Sequence, residues 1–439
     1  MLAVLANRTY RHLFLAQVIA LIGTGLATVA LGLLAFDLAG DNAGAVLGTA
    51  LAIKMIAYVG VAPIASAFTE QLQRRAMLVS LDLVRAAVAL LLPFITEIWQ
   101  IYILIFVLQS ASAAFTPTFQ ATIPDILPNE REYARALSLS RLAYDLESVA
   151  SPLLAAALLT VMSFNNLFAG TVIGFIGSAM LVMSVRLPSP KPAAPRGIYD
   201  RTTRGLRIYL KTPRLQGLLA LTFAVSAAGS MVIVNTVVLV QGIFGMDQQA
   251  TALALAAFGG GSMVAALALP SLLDRVGDRP LMLAGAGTLA ATMLCDSLMT
   301  AYIPLLILWL AVGVGYSVTQ TPSGRLIRRS SHPEDRPALF AAQFALSHAA
   351  WLVTYPLAGW AGAAVRLPTT FLVMAAIAVL GIVAAIRLWP ASDPVELEHV
   401  HDALPADHPH LGGAGDARGK RAHAHALVID AEHTTWPAR

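Results

Sequence analysis

Residues 13–39 read LFLAQVIALIGTGLATVALGLLAFDLA, an apolar run in which Asp37 is the one charged side chain. A helix of roughly 20 apolar residues crosses the hydrocarbon core of a bilayer. Runs of the same kind occupy residues 45–68, 98–123 and 371–388. These runs are continuous rather than alternating, so they predict membrane-spanning helices and not the strands of a barrel.

The composition of the whole chain agrees with this prediction. Of the 439 residues, 57% are hydrophobic and 12% are charged, whereas soluble domains carry about 25% charged residues. So few charges cannot cover a soluble globule of this size. The single cysteine, Cys295, excludes an internal disulfide. The net charge of +4 follows membrane topology, so no nucleic-acid partner is predicted.

The apolar runs predict twelve spans in two sets of six. The first set is expected to begin near Leu13, Ala45, Met77, Ile98, Arg135 and Leu167, and the second near Leu215, Ala250, Pro280, Ile303, Ala338 and Pro368. The first run is too long for a cleavable signal peptide, so we interpret it as the first span. Two halves follow, at residues 1–187 and 215–390.

Two polar segments complete the predicted domain organisation. Residues 188–214 are basic and begin Pro-Ser-Pro-Lys-Pro, which favours an extended cytoplasmic linker. Residues 391–439 contain proline, glycine and alanine with little hydrophobic periodicity, which predicts a disordered tail.

Arginine and lysine residues predict the orientation of the chain. They fall on alternate loops, from Arg8 and Arg11 through the linker to Arg387, while the opposite side receives only Arg366. Cytoplasmic loops carry the excess of Lys and Arg. Both termini and the linker are therefore predicted to be cytoplasmic.

An internal repeat relates the two halves. The sequence TEQLQRR at 69–75 follows the second span, and LDRVGDR at 273–279 follows the eighth, with an offset of 204 residues. A second pair, Pro117 with residues 129–131 and Pro322 with residues 334–336, has nearly the same offset. Two matches at one spacing indicate an internal duplication, which transporters commonly show.

Residues 274–279, DRVGDR, resemble the loop signature of the major facilitator superfamily, although Glu70 and Gln73 replace the usual acid and glycine in the first copy. The resemblance covers residues 7–390. It implies an all-α membrane protein of twelve transmembrane helices in two six-helix halves. It also implies a conformational loop motif, made of Glu70, Arg74, Arg75, Asp274, Arg275, Gly277, Asp278 and Arg279.

The N-terminal pattern narrows the resemblance. Asn7-Arg8 with Arg11, then Gly23-Thr24-Gly25 and Ala30-Leu31, are similar to the branch that contains macrolide and enterobactin exporters. The histidine-containing tail resembles nickel-resistance exporters of that branch. The likeness implies a proton-coupled secondary exporter, not an enzyme, in the bacterial inner membrane. Membrane lipid, protons and a small-molecule or metal-ion substrate are the implied partners, and a monomer is expected.

Ionisable residues inside the spans are candidates for proton coupling, because a charge in the membrane needs a partner or a wet cavity. Arg141 and Asp145 share a helix face and can pair, whereas Glu147 points about 160° away from Asp145. We prefer Asp145 as the proton carrier, then Glu147, with Arg141 tuning them. The alternative is a static ion-pair network. The superfamily fold implies that Lys54 faces His348 between the halves and that this span 5 group faces span 8.

Other polar residues in the spans are open to two interpretations. Asp82 and Arg85 are three apart in span 3 and are interpreted as a structural pair. The uncharged cavity candidates are Gln17, Gln109, Asn235, Tyr316 and Gln320. Buried amides need partners, which neighbouring helices or a substrate could supply. His348, taken alone, is more typical of a packing residue.

The tail holds seven of the ten histidines. Six form His-x-His pairs and one stands alone: His399 with His401, His408 with His410, His423 with His425, and His433. Imidazole suits Ni²⁺, Zn²⁺ and Cu²⁺, and alternate residues of an extended chain project to one side. We predict that the tail binds Ni²⁺, Co²⁺, Zn²⁺ or Cu²⁺, with a bystander tail as the alternative. No resident cofactor is predicted.

Three functions stay open at this point. Export of a divalent transition metal such as nickel is preferred, because of the tail. Export of a drug or siderophore-like organic compound is the alternative, because no acidic or histidine-rich cage is evident within the spans. The third is a metal sensor that does not transport. No phosphate-binding loop or hydrolase motif is present in the sequence, so neither an ATP-driven pump nor an enzyme is indicated.

Overall fold

The computed structural model describes residues 2–39, 43–69, 72–188, 197–361, 366–393, 396–400, 422–425, 427–430, 432–433 and 435–436. Two sets of six long helices dominate these ranges. The first set is α1 (Arg8–Ala39), α2 (Ala43–Thr69), α3 (Arg74–Leu91), α4 (Ile98–Ile126), α5 (Glu130–Leu159) and α6 (Leu167–Met183).

The second set is accompanied by two shorter helices, one before it and one within it. Its helices are α8 (Pro213–Val237), α9 (Gln248–Leu273), α10 (Asp278–Asp296), α11 (Tyr302–Gln320), α13 (Arg336–Pro356) and α14 (Leu367–Leu388). Helix α7 (Ile198–Lys211) precedes the set, and α12 (Ser323–Arg329) continues α11 after a break. All twelve predicted spans are thus present, each beginning within a few residues of its expected position, and the predicted fold class is confirmed.

The outer surface fits a lipid environment. Among the described residues, nine helical segments are long and apolar enough to cross a membrane. Large apolar side chains such as Ile173, Ile307 and Leu380 point outward and are about two-thirds exposed. Such a surface is stable only against hydrocarbon.

Polar residues begin several helices where the apolar runs predict them. The Asn129 side chain accepts hydrogen bonds from the backbone N–H groups of Arg131 and Glu132, at 3.0 and 3.3 Å. Asp247 caps α9 in the same way, with Oδ1 2.9 Å from the Ala250 nitrogen. These caps satisfy the N–H groups that the first turn of a helix leaves unpaired.

Close approach between helices depends on glycine at the α9–α11 contact. A Cβ on Gly261 would lie 1.9 Å from the Leu310 carbonyl oxygen, and one on Gly313 would lie 1.9 Å from that of Phe258. No side chain fits at either position, so Gly261 of span 8 and Gly313 of α11 serve helix packing.

Two polar segments differ from their sequence-based predictions. The linker was expected to be extended, yet α7 is a helix whose Ile208 and Tyr209 are buried. The tail was expected to be disordered, yet its described residues include β1 (Leu397–Val400) and β2 (Ala422–His425), which pair antiparallel. Both segments bury apolar side chains against partners distant in sequence, which local composition does not reveal.

One end of the bundle, called here the basic face, carries the starts of α1, α3, α5, α8, α10 and α13, together with α7 and the chain after α14. Ion pairs join these pieces. Arg204 of α7 donates two hydrogen bonds to Asp335, at 2.6 and 2.8 Å, and Arg214 lies 3.6 Å from Asp393. The other end is called the opposite face.

Candidate transport cavity and gate

A cavity of about 580 Å³ lies between the two halves. Its walls come from α1, α2, α3, α4 and α5 of the first half and from α11, α12 and α13 of the second. Aromatic rings, hydroxyls and amides line it, and its ionisable lining residues are Lys54, Arg85, Arg141, Glu147 and His348. Pockets for drug-sized ligands commonly have volumes of about 300–1,000 Å³.

Three of the five predicted cavity residues line this space, namely Gln17, Tyr316 and Gln320. Gln17 is held in place by Ser140, whose hydroxyl donates to Gln17 Oε1 at 3.0 Å. The amide of Gln17 is thereby oriented by α5, which also brings Tyr144 within hydrogen-bonding reach of it.

The other two predicted cavity residues lie elsewhere. Gln109 stands behind the wall, where its Oε1 accepts a hydrogen bond from the Tyr58 hydroxyl at 2.9 Å. Asn235 is buried near the π-helical segment Leu357–Ala361, and its Nδ2 donates to the Ala358 carbonyl at 3.2 Å. Helical neighbours therefore satisfy both amides.

Arg141 forms a bridge between the halves in the middle of the molecule. Its Nη2 donates to Asp145 Oδ1 at 2.6 Å, and its Nε donates to Ser262 of α9 at 3.1 Å. Its guanidinium carbon lies 4.6 Å from the ring centroid of Tyr316 on α11. The structure thus brings the α5 group against span 8, as predicted.

Glu147 has different neighbours from Asp145, as the helical spacing predicts. It lines the cavity and lies against α1, where a Cβ on Gly25 would be 2.6 Å from Glu147 Oε1 and 2.2 Å from Ser151. Lys54 is the cation whose charge acts on this carboxylate. Glu147 and Lys54 are therefore the opposite charges that face the open space.

Lys54 and His348 do not touch directly, because Tyr58 lies between them. The Lys54 ammonium is 5.5 Å from the Tyr58 ring centroid, and the Tyr58 and His348 rings meet edge-on at 4.7 Å. His348 Nδ1 lies 2.7 Å from the Phe344 carbonyl. A carbonyl only accepts, so Nδ1 carries the proton and Nε2 is the acceptor. The sequence signal for Tyr58 was its position four residues after Lys54.

Asp82 and Arg85 form a buried ion pair within α3. The Ser178 hydroxyl donates to Asp82 at 2.7 Å, and the Arg85 guanidinium lies between the rings of Phe115 and Phe175, at 4.0 and 4.5 Å. This pair joins three helices, which agrees with its structural interpretation. Arg85 also borders the cavity.

Asp125 closes the basic face and was missed by the sequence reasoning. Its carboxylate pairs with Arg74 of its own half and with Arg336 of the other half. Arg74 is almost fully buried. The available signal was a lone acid in the last turn of an otherwise apolar span.

A second set of ion pairs crosses the same boundary. Arg325 of α12 bonds Glu130 of α5 at 2.7 Å and also lies 3.4 Å from Asp278 of its own half. At the rim, Arg131 lies 3.4 Å from Asp274. These pairs hold the two halves together at the basic face, which is therefore closed.

The two copies of the loop motif have a similar backbone conformation at one pair of equivalent positions, Gln73 and Gly277. Gly277 has φ −63° and Gln73 has φ −62°, and both are extended. Neither turn requires a left-handed residue, so the replacement of glycine by Gln73 costs nothing in backbone strain.

The remaining residues of the loop motif are scattered. Arg279 Nε donates to the Trp389 carbonyl at 2.9 Å, tying α10 to the end of α14. Arg75 and Arg275 are exposed. Glu70 lies outside the described residues.

The histidines of the tail are only partly described. His433 is buried with Nδ1 2.9 Å from Asp430 Oδ1. In the β1–β2 register His399 is opposite His423, and His425 is opposite Leu397. His401, His408 and His410 lie outside the described residues. In the part of the chain that the structure describes, no three His, Cys, Asp or Glu side chains are grouped to hold a metal.

Comparison with known proteins agrees with this architecture. The sequence profile of the Major Facilitator Superfamily matches residues 13–233 and 218–406. The human organic anion transporter MFSD10 superposes with a TM-score of 0.75 at 13% identity, covering 86% of this chain and 99% of its own. A bacterial homologue of the iron transporter ferroportin, in an outward-facing state, gives 0.71 at 14% identity, covering 87% and 99%.

Two relatives are similar in sequence. The transporter YvqJ of Bacillus subtilis, itself described as uncharacterised, is 23% identical over 78% of this chain and 83% of its own length. Macrolide efflux protein A of Enterococcus faecalis is 24% identical over 32% of this chain, and the match spans about half of the relative, 47%. The chain belongs to the Major Facilitator Superfamily, a family of membrane transporters.

Proposed function

We propose that the chain is a proton-coupled exporter of an amphipathic organic compound, drug-like or siderophore-like, in the bacterial inner membrane. The cavity carries this proposal. Its volume of about 580 Å³ suits an organic molecule, and rings beside amides and hydroxyls suit a ligand with apolar and polar parts. The similarity to macrolide efflux protein A supports the direction of transport.

Nickel as the transported ion has weaker support than the sequence suggested. A bare dication needs several oxygen or nitrogen ligands along its path. Among the described lining residues, Glu147 and His348 are the one carboxylate and the one imidazole, while Lys54, Arg85 and Arg141 add positive charge. That balance of charges repels a metal ion.

We infer that Glu147 carries the coupling proton. It faces the cavity, whereas Asp145 is engaged by Arg141 in the contact with α9. This reverses the order of preference drawn from the sequence. Protonation of Glu147 removes the charge that faces Lys54, so the attraction between the two residues is lost and the halves can rearrange. Asp145 and Arg141 then serve as an orienting pair between the halves.

The basic face is proposed to be cytoplasmic, by the excess of Arg and Lys. The described conformation then exposes the cavity away from the cytoplasm, where Glu147 takes up a proton. Closure of the opposite face and opening of the basic face would deliver that proton inward and admit substrate.

Inverted membrane vesicles that hold an acidic interior test this function. A macrolide, an amphipathic dye and Ni²⁺ are offered to vesicles with the full chain, the Glu147→Gln variant and the control Glu396→Gln, whose side chain is exposed. We expect at least one organic probe to accumulate and to dissipate the pH gradient, with a loss of roughly tenfold or more in Glu147→Gln alone. Accumulation of Ni²⁺ without any organic probe would overturn the proposal.

A second candidate function is metal binding by the tail, supported by the β1–β2 register. Directly opposite residues of an antiparallel pair have their Cβ atoms about 5 Å apart, and His399 is opposite His423. Calorimetric titration of Ni²⁺ into the full chain and the His399→Ala/His423→Ala variant tests this. Equal binding by the two proteins would exclude these residues, and His12→Ala is the matched control.

A further inference from the structure

The last described residues of the chain, 427–430, 432–433 and 435–436, lie against the basic face and are called here the C-terminal segment. Leu427, Val428 and Ile429 are buried. Ile429 belongs to an apolar cluster that includes Tyr209 of α7 and Leu339 of α13. Leu215 of α8 and Leu326 and Ile327 of α12 belong to the same cluster. The segment therefore occupies a groove built from four helices.

A polar contact secures the segment beside this apolar anchor. Asp430 Oδ2 lies 3.2 Å from Nε2 of His332, in the loop before α13. Its Oδ1 accepts from His433 Nδ1 at 2.9 Å and from the backbone N–H groups of Glu432 and His433. The Trp436 ring lies 5.0 Å from the Arg214 guanidinium.

The groove belongs to the same stretch of chain that closes the basic face. On α12, Leu326 and Ile327 belong to the cluster that receives Ile429, while Arg325 beside them binds Glu130 of the other half. Arg336, four positions after His332, binds Asp125 of the first half. The C-terminal segment and the first half therefore both make contacts with residues 325–336.

The linker helix is held in the same assembly. Arg204 of α7 binds Asp335, and the Tyr209 hydroxyl donates to Gln343. A Cβ on Gly205 would lie 2.1 Å from the Ala338 carbonyl, so α7 and α13 are in close contact. Tyr209 also touches the cluster that receives Ile429. The C-terminal segment covers the junction of α7, α12 and α13.

We propose that the C-terminal segment is a strap that stabilises the conformation closed at the basic face, by bracing residues 325–336 where they reach the first half. Release of the strap loosens α12 and the start of α13. The equilibrium then moves toward the conformation that opens at the basic face.

The strap is sensitive to pH through His332. The hydrogen bond to Asp430 raises the pKa of His332 above its ordinary value, against the effect of partial burial, and Glu334 and Asp335 add to the rise. Partial burial opposes ionisation of Asp430, but bonds from His332 and His433 hold its pKa below the usual range. Asp430 thus stays charged, and docking is strongest when His332 is protonated.

The direction of the pH dependence of docking follows from the raised pKa of His332. A group whose pKa is raised on docking stabilises the docked state at low pH, and the stabilisation is lost as the pH rises through the raised value. The strap therefore loosens as the pH rises beyond the ordinary histidine value of about 6.5. Arg204, which faces this loop from α7, stays charged throughout.

Cysteine accessibility tests the strap in the full chain. The free Cys295 is changed to serine, and a single cysteine is placed at Thr28, on the exposed part of the cavity wall, or at Leu137, in the closed part. Alkylation by a polar maleimide is timed with and without Ile429→Glu or Asp430→Asn, and with Glu396→Gln as the matched control.

We expect both strap variants to slow labelling at position 28 and to accelerate it at position 137, by about fivefold or more. With the unmodified strap, a rise in pH above 6.5 should likewise slow labelling at position 28 and accelerate it at position 137. Asp430→Asn should abolish this pH dependence. General unfolding would accelerate labelling at both positions. If Ile429→Glu unfolds the protein in this way, the test of the strap rests on Asp430→Asn, which keeps the apolar anchor. Rates within twofold of the control at both positions would overturn the proposal.

Discussion

The two halves carry one ion pair at equivalent positions with the charges exchanged. In the first half Arg74 at the start of α3 pairs with Asp125 of α4, and 204 residues later Asp278 at the start of α10 lies 3.6 Å from Arg329 of α12. The duplicated fold thus keeps an ion pair at this point but not its polarity. The fold requires an attraction between the neighbouring helices, and the acid and the base can exchange positions without losing it.

Inside the membrane the halves have diverged further. The positions 204 residues after Lys54, Asp82, Arg85 and Glu147 are Phe258, Ala286, Leu289 and Trp351. Ionisable side chains of the first half are therefore replaced by apolar ones in the second. The charged residues of the described cavity lining thus belong to the first half, while the second half contributes the imidazole of His348.

One pair of glycines shows this divergence in detail. Gly25 of α1 makes room for Glu147, and Gly229 of α8, at the same offset, makes room for Trp351. The close approach of two helices is kept in both halves. In one half it holds a carboxylate at the cavity, and in the other it packs an indole ring.

The largest expected effect is a difference in stability between variants of the two exchanged ion pairs. We expect Asp125→Asn to destabilise the protein by about 3–5 kcal/mol, because it takes the carboxylate from two arginines, one of them almost fully buried. Asp278→Asn should cost less, since Arg325 and Arg329 keep other partners. Thermal unfolding in detergent measures both. The exposed Asp274→Asn serves as control and should stay within about 1 kcal/mol.

The next effect tests the glycines. Gly25→Ala should reduce proton-driven transport roughly tenfold, because the new methyl group collides with Ser151 and displaces Glu147. The second change Ser151→Gly should restore transport by making the room again. Gly229→Ala should have a smaller effect, since it meets the tip of a ring that can shift. Failure of the rescue would show that Gly25 does not act by positioning Glu147.

A moderate effect is expected at the bridge between the halves. Ser262→Ala removes the acceptor of the Arg141 Nε hydrogen bond, a loss of about 1 kcal/mol. Transport should fall by several fold while its pH dependence is unchanged, because Ser262 bonds to Arg141 and Asp145 and not to Glu147, the proposed proton carrier. A shifted pH profile would mean that Ser262 takes part in coupling. Ser271→Ala, also on α9 but exposed and bonded only within its helix, is the control.

The smallest effect is expected in the loop motif. Gly277→Gln copies the first half into the second, and the change should alter stability by less than about 0.5 kcal/mol. The backbone at Gly277 has φ −63°, and a Cβ there would meet only Pro280 Cδ, at 3.8 Å. Thermal unfolding and transport both check this. A large loss would indicate that another conformation of the cycle requires glycine.

The helices could be predicted from sequence because lipid demands long apolar runs, and the caps at Asn129 and Asp247 are local signals. The divergent directions of Asp145 and Glu147 followed from helical geometry alone. The gate could not be predicted, since Asp125 and Arg336 lie 211 residues apart and only the packed halves bring them together. The docking of Ile429 was hidden for the same reason.

The choice of gate partners has a consequence for the speed of opening. Asp125 is shared between Arg336, which departs when the halves separate, and Arg74, which stays. Arg325 is likewise shared between Glu130 of the other half and Asp278 of its own. A buried charge left alone costs several kcal/mol. Asp125 and Arg325 each keep a partner in their own half, so the cost of isolating these two charges does not add to the barrier to opening.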